Sequence, residues 1–530
     1  MLVSWAPCLV LDTTVTPNTT SVCTAGNTSG ANVQLAPPQY TIWIYDVSVG
    51  TLSPILGAEA NTVIVDPVIM QARTPVPTFI PDFVPTGAAA NLANNTNGGL
   101  GLLVIRSVYD FDGIDMVSAE TAGALPNIAA LADPKQATAA ERPARFVRIE
   151  KAVEIPDKTV RKINASAFGP AGMGMREILA YAPVEPDGSV KIELPAHVPF
   201  TVDVLDKDAR LIGPRHTSWM QLIPGETKTC NGCHTVGSKT TPSHGRSGLT
   251  VSVNAGAMAA GSPFPNTVAG LPAANAGDTM ADTRAWNTCH TGSTDCSEVP
   301  SIDVIYTDVW TDPAVRAPDA PFSYLYANLA TPSPANAHCA AWDPLCRSTI
   351  HYPDATADGN VSHQIQPIWN LPRQTIVAGV VTSDHTCILC HSPVNAAAKA
   401  AQVPAGQLDL TDSASSADPT VTTSYEELLF AHNKQTINMG VLQDLLVPAP
   451  GPVVNGTPTT IMVPVSLAPP MVAGSASRSV PNFLAKFDGS DHGITVDHTG
   501  FLTTAELRLI AEWLDIGAQY YNDPFVAPAI

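Results

Sequence analysis

Cys230, Cys233 and His234 stand in the order C-x-x-C-H within "GETKTCNGCHTVGS", and the order returns at Cys387, Cys390 and His391 in "SDHTCILCHS". Two thiols at this spacing can add across the two vinyl groups of a haem, and a histidine directly after the second thiol brings an imidazole to the iron. With 10 cysteines and 13 histidines in 530 residues, chance supplies roughly 0.005 copies of the pattern. A split zinc site made from two C-x-x-C pairs explains the thiols but does not require a histidine after each pair. A thioredoxin-like redox pair belongs after a βα unit, which neither copy follows. The motifs therefore read as attachment sites for two haem c groups, with His234 and His391 as the proximal iron ligands. "WNTCH" carries Trp286 where a first thiol would be needed, which leaves Cys289 for a disulfide.

The elements that must position these residues are read from composition and pattern. The chain is 45% hydrophobic, only 14% charged, and holds 48 prolines, a texture of many short strands and ordered loops. Its 27 Lys+Arg against 47 Asp+Glu disfavour nucleic acid or an anionic membrane as partners and favour a redox partner with a basic surface. No run of about 18 apolar residues appears, so no membrane span is read. The N-terminus "MLVSWAPCLVLD" lacks a basic segment ahead of an apolar one, as if a leader had been removed or the sequence began inside a longer precursor. The six cysteines outside the motifs form local pairs, Cys8 with Cys23, Cys289 with Cys296, and Cys339 with Cys346, which suits disulfides in an oxidising, periplasmic or extracellular compartment.

The expected fold is multidomain α+β. Residues 1–130 read as β-rich, from runs such as "YTIWIYDVSVGTLSPIL", and residues 131–225 as a small β-sandwich with turns at Asp187-Gly188 and Asp206-Lys207-Asp208. Residues 226–355 hold the first haem motif and a disulfide-braced, loop-rich stretch. Residues 356–530 read as a mainly α-helical, cytochrome c-like region around the second motif. Its clearest helix is "LTTAELRLIAEWLDIGAQ", with a Thr503/Glu506 capping box, a stripe of Leu507, Ile510, Ala511 and Leu514, and Gly517 to end it.

"REILAYAPVEPDGSVKIELPAHVPFTVDVLD" followed by "HTSWMQLIPGETKTCNGCH" resembles the middle domain and haem segment of hydrazine synthase alpha-subunit-like multihaem cytochromes. "IQPIW" ahead of "CILCH", and the ending "LTTAELRLIAEWLDIGAQYYNDPF", are similar to the C-terminal haem domain of the same group. The resemblance implies an exported multihaem cytochrome, and it implies that "SWAPC" and "YTIWIYD" are remnants of a β-propeller. By resemblance to single-haem cytochromes c, whose distal ligand lies just before the corresponding helix, His498 is the distal ligand of the second haem, with His363, His385 and His492 behind it. In related chains a histidine often directly precedes "IQPIW"; here Gln364 takes that place.

For the first haem, His244 in "PSHGR" and His216 in "RHTSWM" are the nearest distal candidates, and Met220 reads as packing. Two strong axial ligands close an iron to substrates, whereas an open position permits chemistry. The sequence thus leaves an electron-transfer protein, with no catalytic residue assigned, against a haem redox enzyme acting on a small inorganic substrate at the first haem. A homo-oligomer, or a subunit of an extracellular cytochrome filament, is a third, structural reading. No GxSxG, HExxH, P-loop or dinucleotide fingerprint supports another enzyme class.

Overall fold

The structure, a computed structural model, describes residues 1–28, 34–57, 62–65, 67, 99–117, 127–213, 215–216, 218–235, 251–259, 264–269, 274–289, 293, 295–332, 364–474, 481–489, 496–522, 524 and 527. Met1–Pro81 forms one compact unit and Asp82–Ile530 a second. In the first unit β1 (Leu2–Trp5), β2 (Leu9–Asp12), β3 (Thr19–Val22), β4 (Gln34–Leu35), β5 (Thr41–Asp46) and β6 (Thr51–Pro54) make two three-stranded sheets, β1-β5-β6 and β3-β2-β4. All their pairings are antiparallel. The Cys8–Cys23 disulfide joins the residue before β2 to the residue after β3, at the open end of that hairpin.

The second unit is built on a sandwich. Its strands are β7 (Leu100–Ile105), β8 (Asp110–Phe111), β9 (Ile114–Asp115), β10 (Phe146–Ala152), β11 (Arg176–Pro183), β12 (Val190–Pro195), β13 (Phe200–Leu205) and β14 (Thr227–Cys230). One sheet runs β11-β10-β13 and the other β12-β7-β14. Along β12, Val190, Ile192 and Leu194 are buried while Lys191 and Glu193 are half-buried, the period-2 alternation of a strand with one face on a core. These three residues share one apolar cluster with Leu100 and Leu103 of β7 and with Val147 and Ile149 of β10. Short helices α1 (Ile128–Ala132) and α2 (Met280–Thr288) flank the sandwich, and β15 (Val304–Tyr306) pairs with β16 (Phe322–Tyr324). A disulfide joins Cys289 to Cys296 just beyond α2; Cys339 and Cys346 lie outside the described residues.

Beyond residue 364 the described chain is not mainly helical. Helices α3 (Gln366–Asn370), α4 (Cys387–Cys390), α5 (Thr423–Leu429), α6 (Pro481–Asp488) and α7 (Thr504–Asp515) are interleaved with strands. These are β17 (Gln374–Val377), β18 (Val380–Asp384), β19 (His432–Asn433), β20 (Gln435–Asn438), β21 (Val441–Asp444), β22 (Leu446–Val454), β23 (Thr457–Pro464) and β24 (Ser466–Leu467). The cause is local. Met439-Gly440 and Asn455-Gly456 adopt φ of 51° and 79°, and 50° and 79°, which is the type I′ geometry that closes two-residue hairpins.

Helix α7 has the expected capping box: the Thr503 amide donates to Glu506 Oε2 at 2.8 Å and the Glu506 amide to Thr503 Oγ1 at 3.2 Å. Its polar side, however, is buried as deeply as its apolar stripe, with Arg508, Glu512 and Asp515 all inaccessible. That side lies against the sandwich, on the face of β10 opposite Val147 and Ile149. Arg148 of β10 donates to Asp515 Oδ2 at 3.0 Å, to Asp203 Oδ2 of β13 at 2.7 Å and to Glu150 Oε1 at 3.2 Å. Arg176 meets the other oxygen of Glu150 at 3.1 Å. Burial, reinforced by the Asp203 charge, pushes the Glu150 carboxyl up to about 7. Burial works the same way on Asp203, but Arg148 and Arg215 outweigh it and hold that carboxyl below its ordinary range. Replacing Arg148 by Met would leave Glu150, Asp203 and Asp515 without their shared cation, so a loss of about 3–5 kcal/mol is expected. The midpoint of urea denaturation measures it, and Lys207→Ala, which removes only an exposed pair with Asp208, should leave the midpoint in place.

Candidate haem sites

The first motif is clamped to strand β7 and the turn after it. Strand β14 runs parallel to β7, with Cys230 opposite Ile105. The Arg106 amide then donates to the Cys230 carbonyl at 2.9 Å and the Ser107 amide to the Asn231 carbonyl at 3.2 Å. Cys233 donates its amide to the Asp110 carbonyl at 2.7 Å, and its own carbonyl accepts from Asp112 at 3.0 Å. Asp110, buried, braces the turn through the Ser252 hydroxyl at 2.8 Å and the Val253 amide at 2.9 Å. Between the two thiols sits Gly232, where a β-carbon would come within 2.3 Å of the Asp110 carbonyl oxygen. Only glycine lets the loop lie this close.

The second motif forms a single helical turn, α4, with the His391 amide on the Cys387 carbonyl at 2.9 Å. Hairpin β17–β18 leads into it. Arg373, just before that hairpin, gives its amide to Thr386 Oγ1 at 3.0 Å and its guanidinium to Glu506 at 2.8 Å and to the Phe501 carbonyl at 2.7 Å. Glu506 is therefore both the capping residue of α7 and the anchor of the second motif.

Each motif histidine has a second histidine ring close by. The rings of His216 and His234 have centroids 6.1 Å apart, and those of His391 and His498 have centroids 6.2 Å apart. Two imidazoles on opposite sides of one iron, each with a metal–nitrogen bond of about 2 Å and a ring centre roughly 1 Å behind it, have centroids about 6 Å apart. In all four rings Nδ1 is turned to a backbone carbonyl: His216 to Ser218 at 2.7 Å, His234 to Thr235 at 3.3 Å, His391 to Leu408 at 3.2 Å and His498 to Val496 at 2.8 Å. That contact fixes the tautomer with the lone pair on Nε2, the form a metal ligand requires. Phe487 and Phe501 stand edge-on to the His498 ring at 5.8 and 5.4 Å and hold its plane.

The thiols of Cys230, Cys233, Cys387 and Cys390 are not disulfide-bonded. Burial raises the Cys230 and Cys387 thiols, and burial together with the Asp110 charge raises Cys233 to about 11, opposite to the depressed thiol of a dithiol redox site. Among the described residues the motif thiols do not gather into one cluster, as a split zinc site would need; the one three-residue group of that kind is Cys289, Cys296 and Glu298, whose sulfurs are joined to each other. Burial also lowers the pKa of His391, which favours its neutral form. The donor set thus fits a haem c with two imidazole ligands at each motif.

Of the other distal candidates, His244, His363 and His492 lie outside the described residues. His385 stacks on Phe501 at 4.2 Å. Met220 pairs with Phe200 in the sandwich, which is packing. Sequence reasoning did not single out Asp110, Arg373 or Gly232, whose roles depend on contacts distant in the chain; the glycine inside the first motif was the one visible signal. An alanine at Gly232 is expected to cost about 1–3 kcal/mol through forced displacement of the loop. Thermal unfolding measures this, with Gly26→Ala, which meets open space, as the unaffected control.

Residues 138–235 match the family described as the hydrazine synthase alpha subunit middle domain, a span that runs from just before β10 to the residue after His234. The solved structure of Kuenenia stuttgartiensis hydrazine synthase is similar at 14% sequence identity and a TM-score of 0.41, over 93% of this chain and 54% of that one. The chain thus spans about half the length of that relative. No curated protein matches it.

Proposed function

We propose, from the match of residues 138–235 to the hydrazine synthase alpha subunit middle domain, that the chain is an exported dihaem c-type cytochrome that passes electrons. The observation that carries this reading is the pair of facing histidines at each motif, 6.1 and 6.2 Å between ring centres, with every Nδ1 committed to a backbone carbonyl. Cys230 and Cys233 would hold one haem, with His234 and His216 to ligate its iron. Cys387 and Cys390 would hold the other, with His391 and His498. When bound, haem supplies one-electron redox chemistry, and two strong axial ligands reserve it for electron transfer.

The chain's own residues set the conditions for that role. The backbone clamp of β7 and the Arg373–Glu506 pair fix the attachment loops, so little needs to rearrange when charge arrives. The four Nδ1 contacts aim the rings. The Cys8–Cys23 and Cys289–Cys296 disulfides support an oxidising compartment. No helix among the described residues is long and apolar enough to cross a membrane. The formal charge of −20 supports a basic redox partner. A haem enzyme acting on a small inorganic substrate at the first site would need an exchangeable position where His216 stands, so this geometry favours the carrier.

Thioether bonds survive unfolding. The intact mass of denatured protein should show two haem additions, with Cys230→Ala plus Cys233→Ala removing one and Cys387→Ala plus Cys390→Ala the other. The ferrous protein should not bind carbon monoxide, while His216→Ala and His498→Ala should each open one site and bind about one equivalent. Stoichiometric carbon monoxide binding by the unaltered protein at the first haem would overturn the carrier in favour of the enzyme.

A further inference from the structure

Residues 431–470 leave the C-terminal region and return to the point they left: the Met471 amide donates to the Leu428 carbonyl at 3.1 Å. Between those residues the chain forms a branched arm. A two-residue stem of β19 and β24 carries two hairpins, β20–β21 and β22–β23. Among the described residues, the apolar cluster that includes Leu428 and Met471 takes no side chain from 431–470. The arm is instead richly apolar on the outside. Met439 is 98% exposed at one tip, and Val441, Leu446, Val453, Ile461 and Met462 are all exposed. A two-stranded ribbon with both faces in water is marginal alone, and an exposed apolar surface of this extent marks an interaction site.

We infer that this arm is a self-association surface, and that its occupant is the arm of a second copy of this chain, packed face to face across a two-fold axis. Strand addition is obstructed. Pro448 lies opposite Met462, Pro450 opposite Thr460 and Pro464 opposite Leu446, so these prolines share the ladder positions that point outward and remove donors from the free edges. What remains for binding is the side-chain faces. Charge selects the partner. The whole chain carries −20, yet residues 431–470 contain one lysine and one aspartate, Lys434 and Asp444. A basic partner is drawn to the acidic remainder, whereas two copies of net charge −20 repel each other on the whole and approach most easily through a surface without net charge. An arm that projects such a surface lets copies meet in an isologous contact.

The arm's root is tied to the second haem site. His432 Nε2 contacts the Gln407 carbonyl at 2.9 Å and the Gln435 amide donates to Gln407 Oε1 at 2.5 Å, next to the Leu408 carbonyl that holds His391.

Sedimentation equilibrium of the haem-loaded protein tests this. The parent should give twice the chain mass at micromolar concentration, and the paired Ile461→Asp, Met462→Asp variant should give the single-chain mass. A second variant joins Asn433 to Ser466, which pair in the stem, through an Asn-Gly turn in place of 434–465. It should also be monomeric and keep both haem additions in its intact mass. A monomeric parent, or variants that remain dimeric, would overturn the proposal. A monomeric parent that co-sediments with phosphatidylcholine vesicles through the arm would assign the surface to a bilayer instead.

Discussion

The guanidinium of Arg148 is the point on which the larger unit turns. It is fully buried, and its partners Glu150, Asp203 and Asp515 come from β10, β13 and α7. A buried cation is tolerated only with its full complement of anions, so the sandwich and the last helix must come together in one register or neither is stable. Stability is the lesser part of this, since apolar residues of similar volume could hold the elements together equally well. What the ions add is orientation, because a one-residue slip of β10 or a rotation of α7 would strand several charges at once.

Both sets of facing histidines depend on that orientation. Arg215, which lies 3.8 Å from Glu150 and 3.9 Å from Asp203, directly precedes His216. At the other end of α7 from Asp515, Glu506 caps the helix and grips Arg373, and the turn ahead of the cap presents His498. His234 and His391 are local matters, fixed by the residues around each motif. His216 and His498 are delivered by the packing of the sandwich against α7.

That division explains what the sequence made legible. The capping box of α7 is a four-residue signal, so pattern alone reached it. The thiols and histidines of both motifs are contiguous in the chain, and His498 was singled out by its place before that helix, where its ring lies 6.2 Å from that of His391. His216 and His244 were equal in sequence; the nearness of residue 216 to residue 234 leaves no periodic trace, and His244 lies outside the described residues. The parallel pairing of β7 with β14 was equally hidden, since more than a hundred residues separate the two strands. The helical reading of the C-terminal region failed in the arm for the reverse reason: its turn residues were present at Met439-Gly440 and Asn455-Gly456, but its prolines obscured the strands between them.

A fold of this kind does not by itself decide between carrying electrons and transforming a substrate. The β7 clamp and the motif fix the thiols and His234 whatever the site is for. His216 hangs on the loop after β13, held to the sandwich by the Thr201 hydroxyl on the His216 carbonyl at 2.9 Å. If the proposed haem is bound there, a change confined to that loop would free the position opposite His234 without disturbing the sheet beneath it. In this chain the loop places an imidazole 6.1 Å from that of His234, the spacing that two ligands of one iron would share, and ties its Nδ1 to the Ser218 carbonyl.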